Sequence, residues 1–117
     1  RSALRDLGDS LIEVRDRAIL LLGFAGAFRR SELAALNLED LSFQPEGVLI
    51  SLRRSKTDQE GHGLSKAIFF ASDPKTCPVR ALRTWLDQSG VTEGALFRSV
   101  DRHGHLGESL SDRAIAR

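Results

Sequence analysis

The chain has 117 residues, with 17 basic against 16 acidic side chains, one Cys and neither Tyr nor Met. That length fills one ordinary domain, and 41% apolar with 28% charged residues is the composition of a folded globular chain, neither disordered nor collagenous. The single cysteine, Cys77, excludes an internal disulfide and a cysteine-built metal site and fits a reducing cytoplasmic setting, while the missing phenol excludes tyrosine chemistry within these residues.

Arg1 to Ser10 is polar and reads as a short helix or an ordered lead-in. From there the apolar positions Leu11, Ile12, Val14, Ala18, Ile19, Leu22 and Ala25 recur at helical spacing and predict a helix over 12–27, buried on most sides. Its uncharged core, Ala18 to Phe28, is eleven residues long. A membrane span needs about 20, so a membrane partner is not expected. Gly23 and Gly26 lie three apart and are expected to admit a second backbone. Ser31 is placed to cap the next helix, with Glu32 in the first turn, where the macrodipole favours a carboxylate. Leu33, Leu36 and Leu38 would give that short helix its buried stripe.

After Asp40 the period changes. Gly47 to Arg53 alternates around β-branched residues, Ser65 to Phe70 is a second strand-like run, and the polar, glycine-bearing stretch Ser55 to Leu64 between them predicts an antiparallel hairpin with a long tip. Leu41-Ser42-Phe43 adds a third strand through the Pro45-Glu46-Gly47 turn. Pro78 suits the first position of a helix whose face is Val79, Leu82, Trp85 and Leu86 and whose stop is Gly90. Trp85 reads as core and Cys77 as a helix-entry residue. A short Leu96-Phe97 segment, a turn at Gly104 and a last helix starting at Ser109 or Ser111 complete the order. The fold class is α+β, mainly helical with a small two- or three-stranded antiparallel sheet, and no repeat or linker divides it. The last helix has barely two turns, too short to stand alone, so the chain is expected to stop within a domain.

Bulk charge does not identify a partner. Residues 1–40 hold six basic and seven acidic side chains, and residues 41–117 eleven and nine. Fourteen of the 17 cations are Arg, a residue suited to bidentate phosphate contacts, although a GC-rich genome produces the same bias.

Two stretches could carry chemistry. Gly26-Ala27-Phe28-Arg29-Arg30-Ser31-Glu32-Leu33 sets arginines at the mouth of a new helix, where unpaired N–H groups and the macrodipole favour an anion such as phosphate. In the alternative, Arg29 or Arg30 pairs with Glu32 or Glu39 and only ties helices together. Arg53-Arg54-Ser55-Lys56-Thr57-Asp58 lies where the first hairpin strand gives way to its tip; Lys56 there is either a proton donor or phosphate contact over a ligand, or part of a solvated loop. His62, His103 and His105 lack the carboxylate or cysteine spacing of a metal site.

Arg29 to Leu36, then Glu39-Asp40-Leu41, then Arg54-Ser55-Lys56-Thr57, resemble the catalytic domain of the tyrosine recombinases, the phage-integrase class of site-specific recombinases. Their signature reads Gly-apolar-Arg, any residue, Ser-Glu-Leu, followed by an acidic residue ahead of a β-hairpin that carries a catalytic lysine. Cys77-Pro78-Val79-Arg80-Ala81-Leu82 and Leu96-Phe97-Arg98 also look like bacterial members, and the resemblance covers about residues 10–117. It implies that Arg29 holds a non-bridging oxygen of the scissile phosphate as charge builds in the transition state. It implies that Lys56 is the general acid for the departing 5′ oxygen, with Lys66 on the next strand its competitor. Glu32 would orient neighbouring groups, and Arg30, Arg54, Thr57 and Lys66 would face DNA.

The family also uses a His-any-any-Arg block, a further His or Trp, and a tyrosine that forms a 3′-phosphotyrosyl link. His62, His103 and His105 are followed three residues later by Ser65, Leu106 and Glu108, so none begins that block. Residues 1–117 are therefore expected to be the N-terminal portion of a recombinase catalytic domain, without the N-terminal DNA-clamping domain and inactive alone. The resemblance implies no cofactor, neither ATP nor metal, a double-stranded DNA partner, and self-association on DNA as a tetramer. Two other readings stand beside it: a non-catalytic DNA-binding module of the same fold, and a helical protein-interaction domain in which the arginines are only salt-bridged.

Overall fold

The computed structural model describes residues 7–52, 64–101 and 103–110. The helical periodicity becomes α1 (Leu7–Gly26), α2 (Arg30–Ala35) and α3 (Pro78–Ser89), and the alternating runs become β1 (Leu41–Gln44), β2 (Gly47–Leu52) and β3 (Leu64–Phe69). A second pair, β4 (Arg98–Val100) and β5 (Leu106–Ser109), closes the order. The result is the expected α+β architecture.

Two antiparallel sheets form. In the first, β2 is central, with Leu41 opposite Ile50 on one side and Leu52 opposite Leu64 on the other. Val48, Ile50 and Leu52 point inward while Leu49 and Ser51 point out, the period of two expected of a half-buried strand. The inward residues meet Ala18 and Leu22 of α1, Val79, Leu82 and Trp85 of α3, and Leu33, Leu36, Leu96 and Phe97 in one core. Trp85 is fully buried, lies 6.4 Å from Phe97 between ring centroids, and donates its Nε1–H to the Leu96 carbonyl at 2.8 Å. Its polar edge is thus satisfied inside an apolar site.

Helix α3 behaves as its sequence predicts. Cys77 is its N-cap residue and Pro78 its first residue; Gly90, with φ of 77°, ends it by donating its N–H to the Leu86 carbonyl at 3.1 Å. Cys77 is fully buried, and its sulfur accepts the Ala71 N–H at 3.2 Å. Burial disfavours the thiolate, but the amides of Ala71, Arg80 and Val79 and the Arg80 charge hold the thiol below its ordinary value.

Several expectations change. Helix α1 starts at Leu7, so residues 7–10 of the polar lead-in belong to it. It is not buried on most sides, because α3 and the first sheet cover one face only, and Leu20 and Phe24 stand 69% and 90% exposed. Gly23 and Gly26 admit side chains, not a backbone: a Cβ on Gly23 would lie 3.2 Å from a Leu33 methyl, and one on Gly26 would collide with the Phe28 ring and lie 3.0 Å from Ile68 Cδ1. Ser109 pairs with Arg98 in β5 and starts no helix; the Leu110 N–H continues the pairing to the Phe97 carbonyl at 2.8 Å. Ser111 and the predicted final helix lie outside the described residues, as do Arg1 to Asp6. Among the described residues no helix is long and apolar enough to cross a membrane.

Candidate active site

The route from α1 to α2 is short and fully specified by the backbone. The Phe28 N–H reaches back to the Gly23 carbonyl at 3.1 Å, and Ala27 between them has φ of 53°. This is the 6→1 bond of a Schellman-type helix end, with a non-glycine residue in the left-handed position. Arg29 follows in extended conformation, at φ of −81° and ψ of 157°, as the residue that caps α2.

Arg29, and not Ser31, therefore starts this helix. Glu32 decides it: its Oε1 accepts the Arg29 N–H at 2.8 Å, while the Arg29 carbonyl accepts the Leu33 N–H at 3.0 Å. A carboxylate three residues into the helix satisfies the cap residue's own amide, the carboxylate half of a capping box, and displaces the start two residues ahead of Ser31. Glu32 lies in the first turn as its charge predicts, whereas Ser31 lies within α2 and does not cap it.

The side chain of Arg29 is exposed, and so is that of Arg30. Neither guanidinium pairs with a carboxylate among the described residues. Glu32 is engaged with the Arg29 backbone, and Glu39 receives the Gly94 N–H at 3.2 Å, tying the Leu38–Asp40 turn to the loop before β4. The ion-pair alternative that the sequence left open is not the arrangement adopted. Arg29 thus combines a backbone held at both its amide and its carbonyl with a guanidinium directed to solvent.

The first turn of α2 borders a cleft of about 180 Å³ lined by Ser31, Glu32, Ala35, Leu36, Asp40 and Leu52. Leu52 is the last residue of β2, so the cleft joins the start of α2 to the end of that strand. Arg54, Lys56 and Thr57 lie outside the described residues, as does His62. Lys66 is turned elsewhere. Its Nζ donates to the Gly26 carbonyl at 2.7 Å and to the Ala27 carbonyl at 3.3 Å, and lies 4.6 Å from the centroid of the Phe28 ring.

Two other polar clusters among the described residues tie scaffold elements together. Arg15 is buried and donates to the Arg98 carbonyl at 3.1 Å, with Asp16 2.9 Å from its Nη2. Asp101 accepts the His103 and His105 amides at 2.8 and 2.9 Å across the Gly104 turn, and its Oδ2 lies 3.3 Å from His105 Nδ1. The His105 amide foremost, then that of His103 and the His105 ring, hold the Asp101 carboxyl below its ordinary value. Among the described residues no group of three His, Cys, Asp or Glu could hold a metal ion.

No family model matches the chain. It is 47% identical over 116 residues to an integrase/recombinase XerD homolog from Selenomonas ruminantium, covering 97% of this chain. It is 35% identical over 105 residues, 84% of its length, to tyrosine recombinase XerC from Chromobacterium violaceum. The chain belongs to the tyrosine recombinase family. It spans only 34% and 29% of the lengths of these two relatives. The match to the Selenomonas recombinase takes in nearly the whole chain, so α1 to β5 align as one piece and not as an isolated motif.

Proposed function

We propose that this recombinase chain is part of the catalytic domain of a site-specific DNA recombinase and carries the phosphate-holding and acid half of its active site. Arg29 would hold a non-bridging oxygen of the scissile phosphate in duplex DNA. Lys56 would protonate the 5′ oxygen as the phosphorus–oxygen bond breaks. With no tyrosine in its 117 residues, the attacking phenol comes from outside them. Its oxygen bonds to phosphorus as the 5′ oxygen leaves, so one phosphodiester replaces another and neither ATP nor a metal is required. Religation is the reverse, with Lys56 taking the proton back from the 5′ hydroxyl.

The observation that carries this reading is Arg29 itself. Its backbone is pinned by Glu32 and Leu33, its guanidinium is exposed and unpaired among the described residues, and the Glu32 that accepts its amide lines the cleft that reaches Leu52. With its backbone held, Arg29 has only its own side chain to order on meeting a phosphate, and removing one donor that meets developing charge slows related reactions by about 10²–10³. Glu32 contributes by holding Arg29 and takes no part in bond making. Arg30, Arg54 and Thr57 are assigned to the DNA backbone, on which the protein would self-associate.

Phosphate contacts release counterions, which gives a direct test. The chain's affinity for a duplex oligonucleotide is measured over a range of salt concentrations. Arg29→Ala is expected to reduce the slope of log affinity against log salt by about 0.9, one phosphate's worth. Arg83→Ala is the control, since Arg83 lies 5.0 Å from the Phe43 ring on the α3 side of the molecule, and it should leave the slope unchanged. An unaltered slope in Arg29→Ala would remove the reading.

A further inference from the structure

The end of α1 meets β3 at a contact that the proposed chemistry does not use. The last carbonyls of a helix have no partner within it and carry the negative end of its macrodipole. Here the Gly23 carbonyl is met by the Phe28 N–H, whereas the Gly26 and Ala27 carbonyls are met from 40 residues downstream by the ammonium of Lys66. Lys66 is brought there by strand pairing, because it lies opposite Ile50, a fully buried residue of the central strand. The Phe28 ring lies against the same ammonium, so cation, carbonyls and aromatic face close on one another.

We propose that Lys66 is a positioning residue for Arg29, clamping the α1–α2 turn so that the guanidinium is presented at a fixed place. This gives Lys66 a different role from the one that the resemblance implies, because it neither touches phosphate nor protonates the leaving oxygen. The inference rests on reading Arg29 as the phosphate contact. Ala27 supplies the second line of argument. An alanine in the left-handed region persists where its surroundings over-determine it, and the two Lys66 bonds, on its own carbonyl and the one before, are such a constraint. Arg29 is two residues beyond Ala27, so a turn free to relax would redirect the side chain that follows it.

Two measurements on the 117-residue chain test this. The first uses no DNA: amide hydrogen exchange in the wild type, Lys66→Met and Lys66→Arg, with the α3 amide of Trp85 as internal reference. Methionine keeps the length and loses the charge. In Lys66→Met the Phe28 and Arg29 amides should exchange about tenfold faster relative to Trp85, the scale of one charge-assisted hydrogen bond, and Lys66→Arg should restore most of their protection. An unchanged ratio, or an acceleration shared equally by Trp85, overturns the clamp. The second is a double-mutant cycle on duplex binding. Lys66→Met should weaken binding when Arg29 is present and add less than about twofold when Arg29 is already alanine. Additive losses, with the salt slope falling by a further 0.9 or so, would make Lys66 a phosphate contact in its own right and overturn the proposal. If Arg29→Ala binds as the wild type does, the reading of Arg29 fails and takes the positioning role with it; the exchange measurement distinguishes that result from failure of the clamp.

Discussion

Adjacent residues at the end of α1 should respond in opposite directions to the exchange of one methyl group. Ala27 has φ of 53°, a region that costs a residue with a Cβ about 1–2 kcal/mol. Replacing it by glycine removes that penalty but releases about 0.4–1 kcal/mol of extra conformational entropy to the unfolded chain. The net for Ala27→Gly is a stabilisation of about 0.5–1 kcal/mol, or a rise in Tm of about 2–6 °C for a chain of this size. At Gly26, helix propensity alone favours alanine by about 1 kcal/mol. The structure reverses the sign, because the added Cβ would collide with the Phe28 ring and lie 3.0 Å from Ile68 Cδ1, while Lys66 lies 4.6 Å from the centroid of that ring. Overpacking of this kind costs about 1–3 kcal/mol, so Gly26→Ala should lose up to about 2 kcal/mol. Thermal and urea unfolding followed by circular dichroism at matched protein concentration read both changes. A lower midpoint for Ala27→Gly, or a higher one for Gly26→Ala, would refute the description of this turn.

Other consequences can be measured on the same chain. Trp85→Phe removes a fully buried indole and leaves the Leu96 carbonyl without its donor, which should cost about 2–4 kcal/mol in urea denaturation. Asp101 has a folded pKa below its ordinary value, so its contribution is present above the unfolded pKa and is lost as pH falls through the folded one. The His103 and His105 amides should therefore lose protection in acid, and Asp101→Asn should abolish that pH dependence. Cys77 is held below its ordinary thiol pKa yet has no exposed surface, so access governs its chemistry. A thiol reagent followed by mass spectrometry should label the native chain at least about a hundredfold more slowly than the urea-unfolded one.

What the sequence made legible was whatever a period or a special residue encodes locally. The alternation of Val48, Ile50 and Leu52, the Pro78 start and Gly90 stop of α3, and Trp85 in its apolar stripe were all readable, because each depends on neighbours within a turn or a strand. The start of α2 lies two residues ahead of the Ser31 signal because Ser31 and Glu32 are both favourable near a helix start, and only the backbone shows which amide the carboxylate reaches. Hairpin β4–β5 has no periodic signal, since Arg98–Val100 and Leu106–Ser109 are three and four residues long, although Gly104 marks its turn. The Lys66 clamp had no local signal at all. It joins a strand to a helix end across 40 residues, and a lysine two positions from another alternating residue looks the same whether it faces DNA or a carbonyl. Exposure of Leu20 and Phe24 was illegible for the same reason, because burial of an apolar helix face depends on which neighbours pack against it.

If Arg29 and Lys56 act on one phosphate in different ways, as proposed, a leaving-group substitution separates them most directly. In a chimera, this chain replaces the segment it matches in the Selenomonas recombinase at 47% identity, and covalent capture of a nicked duplex is timed. Arg29→Ala and Lys56→Ala should both slow adduct formation by about 10²–10³ on ordinary DNA. When the 5′ oxygen at the scissile bond is replaced by sulfur, whose thiolate leaves without protonation, Lys56→Ala should recover nearly the parent rate and Arg29→Ala should not. Rescue of both variants, or of neither, or an Arg29→Ala chimera as fast as its parent on ordinary DNA, would contradict the assignment.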